Sequence, residues 1–552
     1  MSLTDQSLSQ PKYYEKKFQS MDQEFTGFKE MLEEIGEYIL PRRGMFKNDS
    51  KPQGSDFAGR HDLILDPYAT RANRTLGAGM QGGLVSPSRP WFRLGLLDDD
   101  LEKFGPVKRW LYNAERIMYK VFAKSNFYNQ IHTVFEEEGG FGTAVLFQEE
   151  DFKSIVNFSV MTAGTYRLAN GADGMVNTIG REIWMQAHQM IEKFGEDRVS
   201  QNVRDTYKNN PFEWFQVLHF IEPRKPKNPF HIDAGNMPWA SVYLDPKNDL
   251  VLMDTGYKDA PFAAPRWNTV GMWPYGLGPG ADVRGSVKML QEMHKSVIMA
   301  LHKEIKPPMA VPSKFKGVLS LIPDAVNYVD VQSNDKIGPL YQVQLNIANV
   351  LQYVQAIQDS ISKDYYNDLF LMIAAADKTM TATEVAERHE EKLLLLGPTI
   401  ERQEKELLNV TLDRHYTICE ERGLFPDPPP ELENQELKFE YISLLSQAQK
   451  LITAQSINAH MTMLERVGQI DPNAVIANTD FIEMLATHAD VVGVPPKISR
   501  SSDESREFLS GLQRQQEEEK AAAQAMEAAK TVGQVTGGGG DQIQQLAQTL
   551  GI

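Results

Sequence analysis

WPYGLGPGADVRGSVKMLQEMHKSVIMALHKEIKPP, residues 273–308, and VQLNIANVLQYVQAIQDSISKDYYN, residues 343–367, decide how this chain is organised. The first begins as a Gly/Pro-rich hinge at 273–280 and then turns periodic. Val283, Val287, Leu290, Met293, Val297, Leu301 and Ile305 recur every three or four residues, the spacing of one helix face, until Pro307-Pro308 stops the run. In the second, Val343, Ile347, Val350, Leu351, Val354, Ile357, Ile361 and Tyr365 share one seam. The residues between, roughly 309–341, read as loop and strand. Two helices flanking a compact excursion each need to bury only one stripe, which leaves their other faces for neighbouring copies.

Towards the N-terminus, Phe18, Met21, Phe25, Phe28, Leu32, Ile35 and Ile39 predict a helix over 11–40, closed by Pro41 and the basic turn Arg42-Arg43-Gly44. A second helix follows Asp66-Pro67 and stops at Ser86-Pro87, and a third spans about 101–124. From about 140 to 270 short β-rich runs take over: TAVLF at 143–147, SIVNFSV at 154–160, WFQVLHFI at 214–221, ASVYL at 240–244 and LVLMD at 250–254. With a helix near 186–210, they predict an α+β region of antiparallel strands.

On the C-terminal side, FLMIAAADKTMTATEV at 370–385 breaks the helical pattern, and Thr381 with Glu384 has the form of a capping box opening a new helix. That helix runs to about 422 and must bend at Gly397-Pro398. FPDPPPEL at 425–432 precedes helices at about 443–468 and 473–490. A polar helix over 502–530 and a glycine-rich tail complete the chain.

Composition narrows the function. The 552 residues exceed one core at roughly 150 residues per domain. No apolar run approaches the roughly 20 residues that span a bilayer, and MSLTDQSLSQ lacks the order of a signal peptide. One cysteine, Cys419, allows no internal disulfide and no multi-cysteine metal cluster, which places the chain in a reducing interior. The net charge of −17 argues against a module that grips DNA, because such affinity comes from neutralising phosphates. It does not exclude a protein that DNA must slide past, where tight phosphate contacts would act as brakes.

The motifs that suggest chemistry are weak. Gly77, Gly79 and Gly82 satisfy G-x-G-x-x-G, but helical residues precede them where a dinucleotide site needs a strand, so they read as glycines for close helix packing or chain turning. No phosphate-cradling G-x-x-x-x-G-K-[ST] exists. His389-Glu390 lacks the second histidine of a zinc protease helix. Glu136, Glu137 and Glu138 read as a solvated charged face. Cys419 reads as a structural thiol, Trp91, Trp267 and Trp273 as packing anchors. Arg42-Arg43 is left open between DNA, capsid and no partner. The expectation is no catalytic residue, no metal and no cofactor.

Three blocks carry a resemblance: LDPYATRANRTLGAGMQGGLVSPSRPWFRL at 65–94, YGLGPG at 275–280 with its helix and KPPMAVP at 306–312, and MTATEVAERHEEKLLLLGPTIERQEKELL at 380–408. In this order they resemble the head-to-tail connector (portal) family of podovirus-type phages. The resemblance implies an α+β, mainly helical portal fold: an α/β wing, a two-helix stem, a β-containing clip, a tunnel loop and a helical crown or barrel. It implies an N-terminal and wing domain over 1–280, the first stem helix over 281–308 and the clip over 309–341. The second stem helix would be 342–368, the tunnel loop 369–382 and the bent wing helix 383–424. The crown would be 425–500, with a helical barrel and tail over 501–552.

By the same resemblance, the chain forms a ring-shaped homo-oligomer of twelve copies at one capsid vertex of the virion, after assembly in the host cytoplasm. Double-stranded DNA passes through the ring in packaging and ejection. The partners are the packaging ATPase (terminase), tail adaptors, and the major capsid and scaffolding proteins; no membrane is involved. Asp377, Lys378, Thr379, Met380 and Thr381 are the expected channel residues on the tunnel loop, and Lys378 is the one basic residue between Lys363 and Arg388. Val283, Val287, Leu290, Val297, Leu301, Ile347, Val350, Val354, Ile357 and Ile361 are the expected stem positions. A tail adaptor or internal head protein would share the acidic, helical composition, but the paired helices, the intervening clip and the length favour the connector.

Overall fold

The computed structural model describes residues 9–46, 64–98, 101–102, 104–224, 233–311, 319–320, 338–340, 347–375, 396–432, 435–442, 460–467, 469, 479–492 and 502–535. In chain order, α1 (Gln10–Tyr38), α2 (Tyr68–Leu84) and β1 (Phe92–Leu96) lead to α3 (Gly105–Lys124) and α4 (Phe127–Phe141). Next come β2 (Val145–Asp151), β3 (Ile155–Met161), β4 (Tyr166–Asn170) and β5 (Val176–Gln186). Helices α5 (Ala187–Phe194) and α6 (Gln201–Asn209) precede β6 (Trp214–Pro223), β7 (Trp239–Asp245) and β8 (Leu250–Tyr257). Short strands β9 (Phe262–Ala263), β10 (Asn268–Thr269) and β11 (Gly276–Leu277) lead into α7 (Pro279–Ile305).

Beyond α7 lie β12 (Met309–Ala310), β13 (Gly338–Pro339), α8 (Ile347–Asp364) and α9 (Asn367–Ala375). A helix over 396–403 continues through a π-helical segment, Glu404–Asn409, into α10 (Val410–Glu421). Then come β14 (Leu437–Tyr441), α11 (Phe481–Val492) and α12 (Ser502–Val535).

The chain divides into two compact units. The first comprises Met1–Trp91, Ile117–Leu424 and Ser443–Gln449. Its main sheet is an antiparallel meander in the order β4-β5-β6-β7-β8. Alternating side chains give the sheet two apolar faces. One face buries Val217, Tyr243 and Leu252 against Ala187, Met190 and Phe194 of α5 and Val203 of α6. The other buries Leu218, Phe220, Val242 and Leu244 against Tyr14 and Met21 of α1. A smaller sheet, β3-β2-β9, stands beside it in sequence, and β3 alternates buried Val156 and Phe158 with exposed Asn157 and Ser159.

The second unit comprises Phe92–Arg116, Phe425–Ile442 and Lys450–Ile552. Here β1 pairs antiparallel with β14, placing Phe92 opposite Tyr441 and Leu96 opposite Leu437. Trp110 Nε1 donates to the Pro426 carbonyl at 2.9 Å, and α11 packs on α12 through an Arg506–Asp480 ion pair of 2.7 Å.

All five predicted β-rich runs are strands. The helix expected near 186–210 is two helices, because the chain turns at Gly195 with φ +88°, a conformation glycine adopts without a Cβ clash. The Gly/Pro-rich stretch 273–280 does not serve as a hinge: it lies backbone against backbone on the end of α4. A Cβ on Gly280 would stand 2.4 Å from the Gly140 carbonyl oxygen, and one on Gly278 2.3 Å from that of Glu138. Glycine is required here by close approach. Residues 369–375, assigned from the sequence to a tunnel loop, are helical as part of α9, whose Leu369 and Phe370 are buried. The rest of that loop, with Asp377, Lys378, Thr379, Met380 and Thr381, lies outside the described residues.

Candidate channel-forming helices

Helix α7 packs against α1, α4 and α8, and the burial of its stripe changes along its length. Val283, Val287 and Leu290 are buried, Val297 and Leu301 are half-buried, and Ile305 is exposed. Helix α8 mirrors this. It opens at Ile347, half-buries Val350, and buries Val354, Ile357 and Ile361. The ends of α7 and α8 nearest the excursion therefore leave large apolar side chains uncovered: Ile298 at 42%, Met299 at 47%, Leu351 at 57% and Tyr353 at 60% exposure.

The excursion closes at its own roots. Met309 pairs with Pro339 and Ala310 with Gly338, while the Leu340 N–H donates to the Pro308 carbonyl at 2.8 Å. The chain thus leaves and returns at one point.

The buried ends of both helices are clamped by the segment before α2. Gln291 Oε1 accepts the Leu65 and Asp66 N–H groups at 2.8 and 2.9 Å, and Gln291 Nε2 donates to the Asp66 carbonyl at 2.8 Å. Asp66 Oδ2 accepts from Gln358 Nε2 of α8 at 2.8 Å and lies 3.0 Å from His294 Nε2 of α7. One aspartate, 5% exposed, thereby ties both helices to α2. Farther round α7, Arg284 and Lys288 reach Glu34 of α1 at 3.3 and 2.6 Å.

The glutamate run 136–138 is not the solvated face expected from the sequence. Glu137 and Glu138 are fully buried. Glu137 Oε1 accepts from Thr162 Oγ1 at 2.7 Å and lies 3.7 Å from Arg43 Nη1. Burial still pushes its carboxyl up to about 7, against the pull of Thr162 and Arg43. Burial also acts on Glu136, but His132 and Arg43 outweigh it and hold that carboxyl below its usual range. Arg43 is thus engaged inside the fold. Sequence missed this because the partners lie far away in the chain.

Among the described residues no group of three or more His, Cys, Asp or Glu side chains is placed to hold a metal, and no helix is long and apolar enough to cross a membrane. Cys419 is buried in α10, and desolvation pushes its thiol up to about 12, so it is a poor nucleophile.

The family model described as bacteriophage head to tail connecting protein matches residues 12–499. This chain belongs to that family. A probable portal protein of Bordetella phage BPP-1 is 38% identical over 471 residues, 84% of this chain and 84% of its own. The portal protein of Salmonella phage epsilon15 is 33% identical over 518 residues, 93% of this chain and 92% of its own. Among solved structures, a chain from the virion of a native gene transfer agent particle overlaps 78% of this chain and 91% of its own length. Its identity is 11% and its TM-score 0.35, too slight to carry an argument.

In this connector-family chain the G-x-G-x-x-G run is internal to α2, and the described residues 64–67 just before that helix form no strand. Gly77 faces the Glu136 backbone of α4 and Gly79 faces Phe370 of α9. Gly77 and Gly79 let α2 approach α4 and α9 closely, as their helical context predicts, whereas Gly82 faces open space and has no packing role. Trp91 and Trp267 are buried anchors, while Trp273 is half exposed and meets the Phe28 ring edge-on at 4.7 Å.

Proposed function

We infer that the chain serves as the portal subunit of a phage, with a structural role in the virion. The observation that carries this is the match to two phage portal proteins over 84% and 93% of the chain, within a family match over 12–499.

The finer reading is a ring of copies, twelve by the family resemblance, set at one capsid vertex. Helices α7 and α8 frame its channel, and the uncovered Ile298, Met299, Leu351 and Tyr353 meet the next copy. Desolvating such side chains between subunits would contribute about 25 cal/mol per Å² of apolar surface. Double-stranded DNA passes inward and outward through the hole. The acidic balance keeps the wall from holding it, and Lys378 supplies a weak local phosphate contact. The excursion between β12 and β13 docks the packaging ATPase and then tail adaptors, and the outer surface meets capsid and scaffolding proteins. The chain makes and breaks no bonds; the ATPase supplies the work.

A phage with a null allele of this gene tests the reading. Heads without packaged DNA and without tails, both restored by supplying the chain in trans, are expected. Normally filled heads in the null would refute it.

A further inference from the structure

Glu138 on α4 and Gln403 in the helix over 396–403 are both fully buried. Gln403 Nε2 donates to Glu138 Oε1 at 2.7 Å. The other oxygen of each group, Glu138 Oε2 and Gln403 Oε1, is also buried and finds no hydrogen-bond partner among the described residues. An ionised carboxylate only accepts hydrogen bonds, so these two leftover acceptors could never satisfy each other. A carboxylic acid can resolve this. Its carbonyl oxygen accepts from the amide N–H while its O–H donates to the amide oxygen, and a single proton satisfies both orphaned atoms.

We propose that Glu138 is a neutral carboxylic acid doubly hydrogen-bonded to Gln403, and that this pair is a proton-dependent latch fastening the helix over 396–421 to α4.

The surroundings favour the neutral form. Glu406, set by the π-helical segment, is a charge of the same sign that acts on Glu138. Its own carboxylate is taken by Arg266, through Nη2 at 2.7 Å and Nε at 3.0 Å. Arg402 is directed to the Trp267 carbonyl. Along α4, Glu137 turns to Thr162 and Arg43, and Glu136 to His132 and Arg43. From β4, Tyr166 presents a hydroxyl that donates to the Thr143 carbonyl at 3.4 Å. The Gly278 backbone lies against the Glu138 carbonyl. Burial pushes the Glu138 carboxyl up to about 8; Gln403 and Arg402 pull it back and Glu406 pushes it further. Loss of the proton removes the donor and leaves a buried negative charge beside Glu406, so closure weakens as pH rises from the ordinary carboxyl range toward that value. This concerns contacts inside one chain and stands independently of the portal reading.

Hydrogen–deuterium exchange of the full chain, corrected for intrinsic rates, tests it in peptides covering 396–421. In the wild type, opening increases by up to about tenfold per pH unit from about pH 6.5, where an exposed carboxyl is already ionised and an exposed histidine already neutral, to about pH 8, and levels off above it, the course of a one-proton linkage. Glu138→Gln keeps both hydrogen bonds with a group that does not titrate, so its exchange stays flat, while Glu137→Gln retains the wild-type rise. A rise in Glu138→Gln equal to the wild type, or none in the wild type, overturns the proposal. Should Glu138→Gln fail to fold, infrared spectra at pH 7 decide: the protonated-acid carbonyl band shifts in Gln403→Met. An absent or unshifted band overturns it.

Discussion

The ring of Phe370 occupies the space that a side chain on Gly79 would need: a β-carbon there would stand 2.2 Å from its Cγ and Cδ1. Gly79 lies mid-way along α2 and Phe370 on α9, the last described helix before 396. Gly79→Ala therefore overpacks the contact and costs about 2 kcal/mol. Phe370→Ala empties it and costs about 4 kcal/mol. Combined, they should cost less than their sum, because the new methyl group enters the vacated space. Denaturant unfolding of the four chains measures the coupling, and strict additivity would contradict the contact.

His415 lies fully buried with its ring 3.7 Å from that of Phe122 at 7°, and Nε2 3.2 Å from the Met118 carbonyl. Burial pushes it down to about 3, with Met118 acting the other way. The native state thus binds fewer protons than the unfolded chain, whose histidine titrates near 6.5. Stability is lost as pH falls below that value toward 3. His415→Phe keeps the stack but loses the hydrogen bond to the Met118 carbonyl, so it is less stable at pH 7. The stability gap should narrow at pH 4.5, and an unchanged gap would count against this account.

Cys419, the only thiol, is buried and held protonated by desolvation. At pH 7 a thiol-reactive dye should label the native chain no faster than the helix over 396–421 opens, with full labelling in denaturant. Rapid labelling of the folded chain contradicts the placement.

Ile298 and Leu351 are 42% and 57% exposed on the paired helices. Ile298→Glu with Leu351→Glu should leave the helical circular dichroism of the subunit intact while shifting it from ring to free subunit in sedimentation velocity. Unchanged assembly would show that these side chains meet no neighbour.

What was legible in the sequence follows from range. The stripes of α1, α7 and α8 and the alternation of β3 are written within a few turns or residues, and they were readable. The helical context of Gly77-Ala-Gly79 sufficed to reject a nucleotide loop. Strand β5 carries no clean alternation in the sequence because Gly180, Arg181 and Glu182 interrupt its apolar pattern, although Arg181 Nε donates to His219 Nδ1 at 2.8 Å across the sheet. The pairing of β1 with β14 and the burial of Glu137 and Glu138 had no local signal at all. Phe92 meets Tyr441, and Glu138 meets Gln403, across hundreds of intervening residues. A charged run looks solvated until its distant partners are known.

The decisive measurement is electron microscopy of the purified full-length chain. The account predicts closed rings with an axial opening wide enough for duplex DNA, walled by residues 279–305 and 347–364. Particles that stay single at high concentration, or assemblies with those helices sealed inside and no axial opening, would contradict it.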